Sequence, residues 1–277
     1  MENIIMFNTG ETPEELREKY NPDGSLKRKI QLRLLDMLIY FDKVCKEIGV
    51  NYRLDSGNVL GAVRHGGFIP WDDDLDVAID DYADYKRLCK YLKTHPHPQF
   101  VLQDDTTDRG HIKYWNTLRD LKSEYIHLDE GEDILDRLLK YRGLQIDIFP
   151  FEAGVMPSWY FRYANLNRKE KWALLEHKYA KVRMIRFFRK CIITPVLRIG
   201  SRLCGNSNMY MHSYGAPFKA RIPKDVLLPH RPIIFEGYEF MGPADPVKYC
   251  QTVYGNFMDL PPLDKRDHHV VTYNIWD

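Results

Sequence analysis

The chain has 277 residues, 44% of them apolar, enough to bury a sizeable core, which excludes a disordered polymer. Its formal net charge of +1 gives no overall reason to bind nucleic acid, so any electrostatic message is local. Cys45, Cys89, Cys191, Cys204 and Cys250 are odd in number and form no C-x-x-C pair, which suits reduced thiols in a cytosolic setting better than a disulfide framework or zinc ribbon.

Residues 1–24 read as an N-terminal arm. Its opening, MENIIMFNTGETPEEL, lacks the basic region and long apolar core of a signal peptide, and nowhere do about 18 apolar residues run together to span a bilayer. A cytoplasmic protein is therefore expected. From Ser25 to Ile48, apolar residues at Ile30, Leu34, Leu38, Phe41, Cys45 and Ile48 have amphipathic-helix spacing, with Gly49 as the C-terminal cap. Val50, Tyr52 and Leu54 alternate as a short strand, and NVLGAVR reads as a brief helix after the turn Asp55-Ser56-Gly57. The stretch Asp74–Ile79 alternates strictly, with Leu75, Val77 and Ile79 on one face and Asp74, Asp76 and Ala78 on the other.

A helix is expected from Asp81 to Leu92. HIKYWNTLR, residues 111–119, reads as a strand with Lys113, Trp115, Thr117 and Arg119 on one side, and LQIDIFPF, residues 144–151, as another with Asp147 facing away from Leu144, Ile146 and Ile148. Alternating helix and strand signals over the first 150 residues predict an α/β (α+β) core, residues 25–157, with a mixed sheet under helical cover. Residues 158–205 are a basic amphipathic helical insertion. Twelve basic residues between Arg162 and Arg202 stand against Glu170 and Glu176, and Pro195 is expected to break one helix into two. Residues 206–277, rich in Pro, Gly and aromatics, are expected to wrap back onto the core.

Two carboxylates at i and i+2 on one strand face sit roughly 6.5 Å apart along the backbone, from a rise of about 3.3 Å per residue. Crowding them costs several kcal/mol unless cations compensate, so the economical readings of Asp74 and Asp76 are Lys/Arg partners or a divalent metal. All-oxygen ligands favour Mg²⁺ or Mn²⁺, and Mg²⁺ is commonly held by one or two carboxylates together with substrate phosphates. Asp147, a lone acid on a second buried strand, would complete such a site for phosphate chemistry. The alternative is a solvated acidic turn at 72–76.

These stretches carry a resemblance. LDSGNVLGAVRHGGFIPWDDDLDVAI, then QIDIFPF, then VYGNFMDLPPLDKRDHH look like the LicD/fukutin family of nucleotidyltransferase-fold enzymes, in the right order from about Leu34 to His269. The resemblance implies a phosphate-facing turn at Gly57-Asn58, a metal pair at Asp74 and Asp76, and a third carboxylate at Asp147. The usual hydroxyl residue after the glycine is Asn58 here, whose amide would have to make the phosphate contact. The family's activity implies transfer of a phospho-alcohol, such as phosphocholine or ribitol phosphate, from a CDP-activated donor to a hydroxyl of a cell-surface glycan, with Mg²⁺ or Mn²⁺ bridging Asp74, Asp76 and the diphosphate. An NTP-dependent nucleotidyltransferase and a silent nucleotide-binding scaffold of envelope assembly are the alternatives.

Arg64 and His65 are candidates to neutralise phosphate, and Lys113 or Arg119 to meet the donor diphosphate, against ordinary surface roles for each. Trp71 would stack on a base, wall the pocket or pack in the core. Arg266, His268 and His269 read as structural. The segment KVRMIRFFRKCIITPVLRIGSRL interleaves cations with Phe, Ile, Leu and Val. It is expected to attach the protein through residues 160–202 to an anionic cytoplasmic leaflet, or else to pack internally with a solvated basic face; its aromatics are not set out to stack nucleic-acid bases.

Overall fold

The computed structural model describes residues 7–127, 132–154, 164–204, 208–212, 220–266 and 271–276. Helix α1 (Pro13–Tyr20) starts in a capping box built by Thr12 and Glu15, and α2 (Leu26–Ile48) starts on Ser25, whose hydroxyl accepts the Arg28 N–H. Gly49 ends α2 at φ 64°, the left-handed conformation that glycine adopts without a Cβ penalty. The apolar stripe from Ile30 to Cys45 is buried against the sheet core, as the spacing predicts.

The remaining elements are β1 (Arg53–Leu54), α3 (Ser56–His65), β2 (Asp76–Ile79), α4 (Tyr82–Thr94), β3 (Phe100–Gln103), β4 (Asn116–Asp120), β5 (Ser123–His127), α5 (Glu132–Leu138) and β6 (Gln145–Ala153). They continue through α6 (Ala164–Leu175), α7 (Tyr179–Phe188), α8 (Thr194–Cys204), β7 (Met209–His212), β8 (Ile222–Pro223), α9 (Lys224–Leu227), β9 (Arg231–Phe235), β10 (Tyr238–Gly242), α10 (Pro246–Tyr254) and β11 (Val271–Ile275). The main sheet runs β1-β2-β6-β4-β3, with β7 joined to β6 and β8 to β7. Strands β2 and β6 are parallel, and their neighbours pair antiparallel, so the expected mixed α/β sheet is what the chain forms.

Two local expectations are corrected and a third is refined. The first strand is shorter than the alternation from Val50 suggests, pairing only at Arg53 and Leu54. Residues 111–115 are not strand. Continuing the β4–β6 register from Asn116↔Ile148 would set Tyr114 against Pro150, which has no N–H, and Lys113 against Phe151, which pairs with His212 of β7. Pro195 divides the helix without ending it: α7 passes into α8 through a π turn at Arg189–Ile193, with the Thr194 N–H bonded to Arg189 O, and Pro195 is the second residue of α8.

The basic segment is tied to the core by its own cations. Arg186 and Arg189 converge on Glu170, Arg198 grips Glu152 with contacts of 2.7–3.0 Å, and Lys190 meets Asp105 at 2.6 Å. The C-terminal third returns to the sheet through β7 on β6, α10 against α3 and β11 on β5.

Beneath the sheet edge lies a buried charge network. Arg53, fully buried, donates to Asp55 and, at 3.0 and 3.3 Å, to Asp80. Its guanidinium stacks 4.3 Å from the Phe151 ring centroid. Tyr249 donates to Asp55 at 2.6 Å, while His212 and His230 lie 3.1 and 2.7 Å from Asp55 and Asp80. Burial opposes ionisation of both acids, but Arg53 and these partners outweigh it and hold Asp55 and Asp80 below the usual carboxylate range. Arg53→Leu would leave two buried carboxylates without their cation and should lower unfolding free energy by about 3–5 kcal/mol in urea titrations. A loss under about 1 kcal/mol, the scale of an exposed pair, would show that the two histidines suffice.

Candidate active site

The β2–β6 pairing puts Asp76 directly beside Asp147, in register across parallel strands. One cavity of about 470 Å³ is walled by Asp72, Asp74, Asp76 and Asp147 together with Trp115 and Tyr249. Asp74 lies in the extended approach to β2 and is exposed, whereas Asp72 and Asp76 are half-buried. Burial, then the negative charge of Asp74, push both Asp72 and Asp76 well above the ordinary carboxylate range, with Asp147 adding to the effect at Asp76. These acids repel one another, and the fold holds them together regardless.

The turn into α3 faces this cluster. Ser56 sits at φ 48°, a strained left-handed conformation for a residue with a side chain, and its N–H donates to the Tyr249 hydroxyl at 3.0 Å. Ser56 and Gly57 line the cavity. A Cβ on Gly57 would stand 3.0 Å from Asp72 Oδ2, so glycine lets the carboxylate approach the helix N-terminus, where free N–H groups and the helix dipole favour anions. Asn58 is turned elsewhere. It is buried, and its Oδ1 accepts the Asp76 N–H at 2.6 Å, fixing the start of β2.

The basic candidates divide. Lys113 reaches the cluster and bonds both oxygens of Asp147 at 3.0 and 2.9 Å, and Thr117 donates to the same carboxylate at 3.0 Å. Arg119 is not brought there: it is buried, donating to Gln103 Oε1 and Gly143 O at 2.7 Å each. Arg64 is also buried, bonded to Phe257 O at 2.8 Å and to His65 Nε2 at 2.9 Å. Burial, then Arg64, lowers the His65 pKa to about 3. Trp71 packs edge-on to Tyr20 and His65 under the Arg266 guanidinium. Arg64, His65 and Trp71 thus build the junction between the N-terminal arm and the C-terminal segment and do not line the acid cavity. His268 and His269 lie outside the described residues.

Asp55, Asp72, Trp115, His212 and Tyr249 belong to the cavity or its floor and escape the sequence reading. Asp55 and Asp72 carried a usable signal, since both sit inside the motif stretch. His212 and Tyr249 reach the site only through tertiary pairing.

An all-oxygen donor set with carboxylate pKa values raised by burial and mutual repulsion fits Mg²⁺ or Mn²⁺, since a divalent cation would offset both. Asp74 and Asp76 are the residues that would hold such an ion. Among the described residues no three His, Cys, Asp or Glu side chains are already gathered tightly enough to hold an ion. Asp147 is engaged by Lys113, so its entry as a third ligand requires that pair to open.

Comparison with known proteins gives a family and several relatives. The family model described as LicD/FKTN/FKRP, nucleotidyltransferase domain, matches residues 49–196. The chain is 26% identical over 266 residues to the lipopolysaccharide cholinephosphotransferase LicD of Haemophilus influenzae, covering 88% of this chain and 96% of that one. It is 39% identical over 85 residues to human ribitol 5-phosphate transferase FKRP, covering 30% of this chain and 16% of that protein. An uncharacterized Rickettsia typhi protein is 39% identical over 78 residues, 26% of this chain and 25% of its own length.

The shifted acids predict a pH signature for protein kept free of divalent cations. With pKa values raised in the folded state, Asp72 and Asp76 bind more protons folded than unfolded, so their contribution to stability rises as pH falls from neutral toward about 4, the unfolded carboxylate value. Asp55 and Asp80, held low when folded, contribute the opposite slope below that pH. Thermal unfolding in chelator should therefore be optimal in mild acid, and Asp76→Asn should flatten the neutral-to-acid rise. An unchanged profile in Asp76→Asn would contradict the assigned repulsion.

Proposed function

Because the chain belongs to the LicD/FKTN/FKRP nucleotidyltransferase-domain family, we propose that it is a phosphotransferase that moves a phospho-alcohol, phosphocholine or similar, from a CDP-activated donor to a hydroxyl of a surface glycan. The observation that carries this reading is the in-register Asp76–Asp147 pair, joined by Asp72 and Asp74 in one cavity at the N-terminus of α3. The names of its relatives, a cholinephosphotransferase and a ribitol 5-phosphate transferase, support the class of group transferred.

In this reading the α3 N-terminus and Gly57 receive a phosphate, and Asp74 and Asp76 hold Mg²⁺ or Mn²⁺. The cation, when bound, would neutralise diphosphate charge and stabilise the leaving nucleotide. The acceptor hydroxyl oxygen bonds to the phosphorus that carries the alcohol. The bridging P–O bond breaks, CMP departs with that electron pair, and the hydroxyl proton passes to a pocket carboxylate. Positioning and electrostatics supply most of the acceleration, as in phosphoryl transfer generally. Lys113 is placed to exchange Asp147 for donor phosphate once the site fills.

Attachment to a membrane surface belongs to the same proposal. Met184, Phe187, Phe188, Ile192, Val196, Ile199 and Leu203 are exposed at three-and-four spacing along α7, the π turn and α8, opposite the buried Val182, Ile185 and Leu197. Exposed Lys181 and Arg183 flank this strip, so the partner its chemistry fits is an anionic lipid surface. Among the described residues no helix is long and apolar enough to cross a membrane. Vesicles containing phosphatidylglycerol should pull down wild type at low salt and lose most of it on Phe187→Ser/Ile199→Ser; equal recovery of both would contradict the attachment face.

The catalytic test is CMP release from a panel of CDP-alcohols, with CTP alongside, with and without Mg²⁺. Wild type should release CMP from one donor in a metal-dependent way, and Asp76→Asn should be slower by about 10³-fold, the order seen when a preorganised electrostatic group is removed. Pyrophosphate release from CTP would favour the nucleotidyltransferase reading, and nucleotide binding without turnover the silent scaffold.

A further inference from the structure

A second cavity, about 530 Å³, lies between α4, residues 104–116 and the inward face of the α7–α8 rod. Lys86, Lys90 and Lys93 stand at i, i+4 and i+7 on one face of α4, and Lys113 and Lys190 join them in its wall. Cations outnumber Asp104 and Asp105, the acids of the lining. Lys93 pairs with Asp104 and Lys190 with Asp105, but Lys86 and Lys90 have no carboxylate partner among the described residues. Lining up like charges on a helix face is unfavourable unless something negative meets them.

The cavity is not separate from the acid cluster. Lys113 lines it while bonding Asp147, and Phe149 and Pro150, successive residues of β6, open to the acid cavity and to this one respectively. The two spaces therefore lie within one lysine side chain of each other. Two tyrosines also border the cavity: buried Tyr85 stacks 5.8 Å from Tyr82, whose ring has the Arg198 guanidinium at 3.5 Å and the Lys86 ammonium at 5.3 Å from its centroid. His111, 3% exposed, sits in the wall with neither ring nitrogen hydrogen-bonded among the described residues. The arginines are committed, Arg189 to Glu170 and Arg198 to Glu152, so lysine point charges and not planar forks are left for a ligand.

We propose that this lysine-lined cavity binds a phosphate-bearing sugar of the acceptor chain and holds the adjoining hydroxyl toward Asp147. Flexible lysines suit a compact tetrahedral anion, and half-buried Tyr82, its ring already met by Arg198 and Lys86, borders the space beside them where the sugar would lie. Its assignment to the acceptor rests on the phosphotransferase reading; the binding itself does not.

The test is calorimetric titration of full-length protein with glucose 1-phosphate, inorganic phosphate and glucose, using wild type, Lys86→Ala/Lys90→Ala and Asp76→Asn. Both lysines are exposed on α4, so the double variant removes charge without opening the core. Glucose 1-phosphate should bind wild type and Asp76→Asn alike, weaken with salt, and lose at least tenfold in the double variant. Glucose should not bind, and CDP-choline affinity should survive the double variant. Equal binding by the double variant, loss in Asp76→Asn, no binding at millimolar concentration, inorganic phosphate binding as tightly as the sugar phosphate, or loss of CDP-choline affinity would each overturn the proposal. Failure of CMP release with this binding pattern intact would count against the phosphotransferase reading alone and leave the cavity standing.

Discussion

Mutual repulsion among Asp72, Asp74, Asp76 and Asp147 is the constraint around which the rest of the structure is arranged. Like charges within a few ångströms resist being brought together, and partial burial sharpens the penalty. The sheet imposes the approach anyway, because the parallel register of β2 on β6 fixes Asp76 beside Asp147. Asn58 locks the same strand by accepting the Asp76 N–H, and Gly57 leaves space for the Asp72 carboxylate. Lys113 supplies partial compensation at Asp147. Carboxylates kept close by hydrogen bonds, at the N-terminus of a helix suited to anions, are what the proposed binding of a cation and a phosphate together would use.

The buried Arg53 network explains how the C-terminal third completes this arrangement. Arg53 ties β1 to Asp80 at the far end of β2 and to Asp55 at the entrance of α3. Tyr249 from α10 and His212 from β7 close on the same Asp55. Tyr249 also receives the Ser56 N–H, so the strained turn that opens α3 is braced by a residue nearly two hundred positions away. Breaking a buried pair of this kind strands its partners, so the network links C-terminal packing to site geometry.

Much of the catalytic half was legible because local pattern and tertiary role coincide there. Strict alternation through Asp76 and Asp147 reports strands with polar groups on one face, and both strands form, although β2 begins only at Asp76 and leaves Asp74 in the extended approach. The stripe of α2 and its Gly49 cap are likewise local physics. The 111–119 strand misled because alternation is blind to the partner: Pro150 offers no N–H, and β7 takes Phe151. Arg64 and His65 are turned from the cavity for a related reason, and Trp71 takes the packing place that was one of those expected of it. The motif suggests phosphate for the first two, but these side chains turn to Phe257, Tyr20 and Arg266, contacts that the linear sequence does not announce. His212 and Tyr249 were invisible because nothing local marks a residue that joins a site from a distant element.

The most direct measurement is Mn²⁺ binding, by electron paramagnetic resonance titration of the protein without nucleotide, for wild type, Asp76→Asn and Lys113→Met. The acid cavity as a divalent-cation site predicts saturable binding by wild type, loss of at least tenfold in affinity in Asp76→Asn, and tighter binding in Lys113→Met, where Asp147 no longer has its lysine partner. Indistinguishable binding by wild type and Asp76→Asn would contradict the account, since the carboxylates would then be held together for some purpose other than a metal.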